Sequence, residues 1–338
     1  MEEILKVCHD RILPQELNRP HRTVATRGGA PRAVLEFRKL WVNGSTLRVR
    51  FMGGTPAQQA LVQTQAQWWT EHANLRFAFN NAPDAEIRIA FDQSDGAWSN
   101  VGTDCLSVPR NQPTMNLGFL DGGTAGHEFG HAIGLGHEHQ NPAGGLQWNE
   151  EVVIRDLGGP PNFWTPEQVR FNVLEKYAAD QIRGTEFDPD SIMLYAFPAR
   201  WTTNGVSTHA NNVLSAMDKA FIASAQAYPR TAVTTNELLV NAATSTSASI
   251  GTPGEEDLFT FTVTQPGRHV VETGGQTDVV MKLFGPNSQT SLVAEDDDGG
   301  VGRNARIVAS LVAGRYFVQI RHFNTARGTG AYTISVKA

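Results

Sequence analysis

Long apolar runs are missing from this 338-residue chain. No stretch approaches the ~18 consecutive apolar residues of a membrane-crossing helix, which excludes one. The first residues, Met-Glu-Glu-Ile-Leu-Lys-Val-Cys, are acidic and broken by Lys6, so no signal-peptide core follows. Cysteine is scarce: Cys8 and Cys105 are the only two, which excludes a disulfide scaffold and allows one bridge at most. A basic excess is also missing. Against 34 acidic residues stand 28 Lys and Arg, a net charge of −6, which argues against a nucleic-acid partner or an anionic membrane surface. Residues of the AVILMFWYC set make up 40%, enough to bury a core, so disorder over most of the chain is excluded as well.

What is present falls into two halves, as expected at about 150 residues per domain. All seven tryptophans and both cysteines precede residue 202, whereas after about 230 the text turns to Ser, Thr, Val and Gly. The boundary is placed near Pro229, with a linker over 230–250. The first half reads as mixed α and β. Residues 46–52 and 86–91 alternate as half-buried strands do. Between them Thr55-Pro56 opens a helix on which Leu61, Gln65, Trp68 and His72 fall on one side, with Ala60, Thr64 and Trp69 beside them. A capping box at Thr165–Gln168 opens another, with Val169, Val173, Leu174 and Tyr177 inward, and a last helix starts at Ser215. The second half reads as all-β, because Phe259, Phe261, Val263, then Tyr316, Val318, Ile320, then Tyr332, Ile334, Val336 alternate with polar residues between Gly-rich turns. That spacing suggests a sandwich or jelly roll. No solenoid-type repeat is present.

Four of the ten histidines fall within residues 127–139, His-Glu-Phe-Gly-His-Ala-Ile-Gly-Leu-Gly-His-Glu-His. His127 and His131, four apart, project from one face of a helix and can hold one metal ion. Glu128 stands where it can take a proton from a metal-bound water. Gly134 can adopt the left-handed conformation that ends the helix, after which His137 can return as third nitrogen ligand. Three nitrogens leave a position open for water, the mark of a catalytic zinc site. A chance match at all five positions is on the order of 10⁻⁵, so the pattern is read as functional. His139 is read as meeting solvent or the groups that support the ligands, with metal binding as the lesser alternative, and His9, His21, His72, His209, His269 and His322 lack ligand spacing and are read as ordinary.

Residues 189–195, Pro-Asp-Ser-Ile-Met-Leu-Tyr, resemble the Met-turn of the metzincin zinc peptidases. The resemblance gives Met193 a place beneath the zinc-bound imidazoles. Tyr195, His137-Glu138-His139 and Trp98-Ser99-Asn100-Val101-Gly102 are similar to astacin sequences, over roughly residues 40–229. By that likeness Tyr195 is a releasable zinc ligand and oxyanion donor, and Glu138 meets the amino terminus of the processed enzyme. Gln140-Asn141-Pro142 departs from the usual astacin continuation, and two cysteines cannot form the two astacin disulfides. The implied fold is an α+β metzincin catalytic domain over 36–229, with a twisted mixed sheet and a zinc-binding active-site helix, followed by the sandwich. The segment 1–35 is read as removable or latency-conferring. Cys8 is either a thiolate ligand that blocks the zinc, a free thiol, or half of a Cys8–Cys105 bridge.

Residues 235–338 resemble the bacterial pre-peptidase C-terminal domain, a jelly-roll-like β-sandwich taken here over 251–338. The likeness rests on Glu256–Phe261, Thr277–Phe284, Asp296–Gly300 and Gly314–Val318. The run Asp296, Asp297, Asp298 reads either as a calcium loop or as a solvated acidic turn. The expectation is a monomeric zinc endopeptidase acting on protein or peptide substrates, with no nucleic acid and no membrane insertion. The accessory domain would bind substrate or matrix surfaces and implies an extracellular setting. Its rivals are an adhesion protein with an inactive or latent peptidase domain and a zinc hydrolase of non-peptide substrates. Phe197 to Trp201 are expected to shape the pocket for the residue after the scissile bond.

Overall fold

A computed structural model describes residues 8, 35–36, 39–160, 162–176, 182–183, 186–224, 226–230, 235–325 and 327–338. Tyr177 and most of the segment read as removable lie outside the described residues. Contacts divide the chain into two units. The first holds the described residues up to Leu40 and Leu47–Ala227, the second Trp41–Thr46 and Tyr228–Ala338.

In the first unit the strands are β1 (Leu35–Glu36), β2 (Thr46–Phe51), β3 (Arg76–Phe79), β4 (Ile87–Ala90), β5 (Ala97–Ser99), β6 (Met115–Leu117) and β7 (Ile182–Arg183). Five of them form a mixed sheet in the order β3-β2-β4-β6-β5, with β2, β4 and β6 parallel and β5 antiparallel at one edge. The short β1 pairs antiparallel with β7. The helices are α1 (Pro56–Thr70), α2 (Thr124–Ala132), α3 (Glu150–Gly158), α4 (Pro166–Val169) and α5 (Ala216–Ile222). None of the described helices is long and apolar enough to cross a membrane.

Local chemistry sets where these helices begin. Thr55, Thr165 and Ser215 each cap a helix with the side-chain oxygen, and each donates its own backbone N–H to the side-chain oxygen three residues on. The buried face of α1 is Val62, Gln65, Ala66 and Trp69. It is rotated away from Leu61, which is exposed, and Trp68 is half-buried. The reason is polar. Gln65 and Trp69 dock α1 on α2 through hydrogen bonds, which periodicity of apolar residues cannot register. The helix opened by Thr165 also stops sooner than expected, passing into a π-helical turn over Arg170–Leu174.

The second unit contains β8 (Thr235–Glu237), β9 (Thr246–Ile250), β10 (Glu256–Val263), β11 (Gly267–Gly275), β12 (Val279–Phe284), β13 (Leu292–Asp296), β14 (Arg306–Leu311), β15 (Gly314–His322) and β16 (Gly330–Lys337). They form two sheets, β13-β12-β15-β10-β8 and β14-β11-β16-β9, whose inner faces make one apolar core. Phe259 pairs with Val318 and Phe261 with Tyr316 across β10 and β15, in agreement with the alternation. The intervening positions are less exposed than alternation predicts, since Thr260, Lys282, Gln319 and Arg321 are buried too. Lys282 meets Glu295, and Gln319 donates to Glu256. Two strands, β8 and β9, fall within 230–250. Trp41–Thr46 joins this unit because the Trp41 amide donates to the Tyr228 hydroxyl at 3.1 Å and Asn43 to the Pro229 carbonyl at 2.9 Å.

Candidate active site

Helix α2 carries the histidine motif and is buried over nearly its whole surface. Such a helix needs small residues where neighbours press closest. At Gly126 an added Cβ would lie 2.8 Å from Trp68 ring carbons, and at Gly130 it would collide with Met193 Sδ and the Trp69 ring. Trp69 donates its indole N–H to the Gly126 carbonyl at 2.7 Å, while Gln65 accepts from the Gly126 amide and donates to the Gly122 carbonyl. The far end closes as a Schellman motif. Leu135 N–H bonds to Gly130 O, Gly134 N–H to His131 O, and Gly134 takes φ 103°. The left-handed glycine inferred from sequence is therefore what returns the chain toward the helix.

That return brings three imidazoles together. His131 Nε2 lies 3.1 Å from His127 Nε2 and 3.0 Å from His137 Nε2. Three nitrogens at ~2.0–2.1 Å from one tetrahedral ion stand about 3.3 Å apart, so the donor set fits zinc. His127 Nδ1 donates to the Ile192 carbonyl at 2.7 Å and His131 Nδ1 to the Leu135 carbonyl at 2.8 Å. With the proton held on Nδ1, each Nε2 lone pair is free to bind metal. Glu128 stands beside His127 and is fully buried.

Cys8 completes the cluster. Its Sγ and one ring nitrogen from each of His127, His131 and His137 lie within 4.8 Å of one another, the one such grouping of metal-ligating side chains among the described residues. No disulfide joins Cys8 and Cys105, so the bridge between them does not form. Burial raises the Cys105 thiol pKa well above the usual range, which makes that sulfur inert. Cys8 belongs instead to the buried apolar cluster that includes Leu194, Tyr195 and Phe197.

Met193 touches α2 at Gly130, between the turns that bear His127 and His131. Tyr195 rests against the His137 ring, centroids 4.3 Å apart, and its hydroxyl donates to the Cys8 carbonyl. The turn that presents both residues is pinned from below by Asp218 of α5. One Asp218 oxygen accepts from Ser191 Oγ at 2.8 Å, the other from the Ile192 amide at 3.0 Å. Because the Ile192 carbonyl holds His127, Asp218 orders a ligand it never touches. Burial raises the Asp218 carboxyl pKa, opposed by the hydrogen bonds from Ile192, Ser215 and Ser191. Sequence reading took Asp218 only as part of the segment opening a helix. Its position three after Ser215 was the available signal for a cap, and nothing in the text tied it to Met193.

The other predicted site residues divide. Glu138 is buried and accepts from Asn141 Nδ2 at 2.9 Å and from the Asp188 amide at 3.1 Å; burial pushes its pKa up to about 8 despite these bonds. Phe197 and Trp201 are core residues, 2% and 0% exposed, while Ala199 and Arg200 between them are exposed. Gly102, in the Trp98–Gly102 stretch, takes φ 49° and presses against the Lys39 carbonyl, an approach no side chain would permit. Asp296 uses one carboxylate oxygen to accept from the Gly299 and Arg306 amides. This is the bonding of a capped acidic turn, and the calcium reading gains no support.

A buried active-site helix with three convergent imidazoles above a methionine turn defines a zinc metallopeptidase of the metzincin class. Residues 34–225 match the Astacin peptidase family, and the chain belongs to that family. Residues 255–322 match the Bacterial pre-peptidase C-terminal domain. Protein SpAN of Strongylocentrotus purpuratus is 32% identical over 92 residues, which cover 25% of this chain and only 14% of SpAN. A solved structure of myroilysin is 39% identical, covers 59% of this chain and 100% of its own, and superposes with a TM-score of 0.56. The pre-peptidase C-terminal domain of a Bacillus anthracis collagenase is 18% identical over 31% of this chain and 97% of its own, with a TM-score of 0.28.

Proposed function

We propose that this protein is a zinc endopeptidase held latent by its own amino-terminal segment. The observation that carries the reading is the convergence of Cys8 Sγ with the three imidazoles. Zinc held by His127, His131 and His137 would supply Lewis-acid chemistry, lowering the pKa of a bound water toward ~7 and polarising the scissile carbonyl. Glu128 takes the proton from the attacking water and hands it to the leaving amine as the C–N bond breaks. Tyr195, freed from Cys8, donates its hydroxyl to the developing oxyanion. The carbonyls of Ile192 and Leu135 keep His127 and His131 in the ligating tautomer throughout.

Removal of residues 1–35 would take Cys8 away and create a new amino terminus. Glu138, with the buried carboxylates Asp188 and Asp218 near it, is the group we assign to receive that ammonium. The second unit is proposed to bind substrate or matrix surfaces, and the setting to be extracellular. Casein hydrolysis that is abolished by a chelator, restored by zinc and absent in Glu128→Ala would establish the peptidase reading. Undiminished hydrolysis by a Glu128→Ala protein would end it.

A further inference from the structure

We propose that His139 is a positioning residue for Tyr195, a side wall that sets where the tyrosine hydroxyl can reach. The proposal rests on the reading of Tyr195 as oxyanion donor. His139 is fully buried two residues after the third imidazole of the cluster, yet its Nε2 points elsewhere, to the Asn172 carbonyl at 2.9 Å. A carbonyl only accepts, so this nitrogen carries the proton and the ring is fixed in orientation. The ring lies against Tyr195, with centroids 4.2 Å apart and an interplanar angle of 30°. His137 also packs on Tyr195, at 4.3 Å and 57°. The phenol therefore moves only within limits drawn by two imidazoles, one tied to the metal cluster and one to Asn172.

The anchor of His139 has its own origin. The π-helical turn ends at Leu174, and the last carbonyls of any helix lack helical partners. His139 takes the carbonyl of Asn172, and Gln140 donates to those of Phe171 at 2.6 Å and Glu175 at 3.2 Å. Asn172 is itself held, donating its side chain to the Gln168 carbonyl at 2.9 Å. Trp148 meets the His139 ring edge-on, with centroids 6.0 Å apart. The π turn thus serves as a fixed base for the ring on which Tyr195 leans, and this is a use for the early helix stop that the sequence did not announce.

A double-mutant cycle tests the assignment, in the full zinc-loaded chain carrying Cys8→Ala so that no thiol competes for the metal. H139A should lower kcat about tenfold, the scale of a misplaced oxyanion donor, with KM within about twofold and one zinc still bound per chain. With Y195F already present, H139A should cost less than about twofold. H139F keeps the ring, should restore most of the loss, and replaces H139A if the smaller side chain does not fold. A second readout needs no turnover. In chains that retain Cys8, iodoacetamide should alkylate Cys8 severalfold faster in H139A, as in Y195F, because the hydroxyl's hold on the Cys8 carbonyl slackens. An equal loss of kcat with and without the Tyr195 hydroxyl, or an unchanged alkylation rate in H139A where Y195F accelerates it, overturns the proposal. If Y195F alone alters neither kcat nor alkylation, the assignment of Tyr195 is what fails.

Discussion

The Tyr195 hydroxyl donates to the backbone carbonyl of Cys8, 187 residues earlier in the chain. The same segment therefore meets the site twice, with its thiol at the imidazole cluster and its carbonyl at the tyrosine.

Replacing Cys8 by Ala in the full chain should raise casein hydrolysis more than about tenfold, because a tethered ligand competes at millimolar effective concentration or higher. Zinc content should stay at one per chain. Equal, low activity in the two proteins would show that Cys8 does not impose latency.

Glu128→Ala should reduce turnover at least ~10²-fold, the range of general acid–base catalysis, and leave zinc binding intact. Tyr195→Phe should reduce it by about 10²-fold, the scale of one oxyanion donor. Both are read from initial rates beside metal analysis of the same samples.

Gly130→Ala opposes two effects. Alanine favours an isolated helix over glycine by ~1 kcal/mol, but here the new methyl collides with Met193 Sδ and Trp69, and overpacking costs ~1–3 kcal/mol. Overpacking wins, so the melting temperature should fall. A rise would mean that Met193 does not press on the active-site helix.

Asp218→Asn should destabilise the protein by ~1–3 kcal/mol, since an amide cannot replace every acceptor contact to Ser191, Ile192 and Ser215. The pH dependence follows from the direction of its shift. A carboxyl whose pKa is raised by folding contributes stability that is fully present below the unfolded value of 3.8 and is lost as pH rises through the folded value. The stability advantage of the wild type over Asp218→Asn should therefore shrink as pH rises across that window. Denaturant titrations at a series of pH values check both the size and the sign.

Much of the site could be read before any coordinates because its parts are local. His127, Glu128 and His131 share one helix, and Gly134 sets the turn that returns His137, so spacing alone foretells that three imidazoles converge. The strands of the second unit were legible for the same reason, with Phe259, Phe261 and Tyr316 repeating at the period of a pleated strand. On α1 the side carrying Gln65 and Trp69 was legible, but its turn away from Leu61 was not, because hydrogen bonds from Gln65 and Trp69 to α2 and the residues before it carry no apolar period.

By itself the sequence determined the metal, the motif and the division into a peptidase half and a β half, since each depends on residues within a few positions of one another. Only the tertiary structure excluded the Cys8–Cys105 bridge and brought the Cys8 sulfur near the three imidazoles, and only it linked Asp218 to His127 through Ile192 and His139 to Tyr195. Those pairings span tens to nearly two hundred residues, and contact at such separations is set by packing of the whole unit, not by any local pattern.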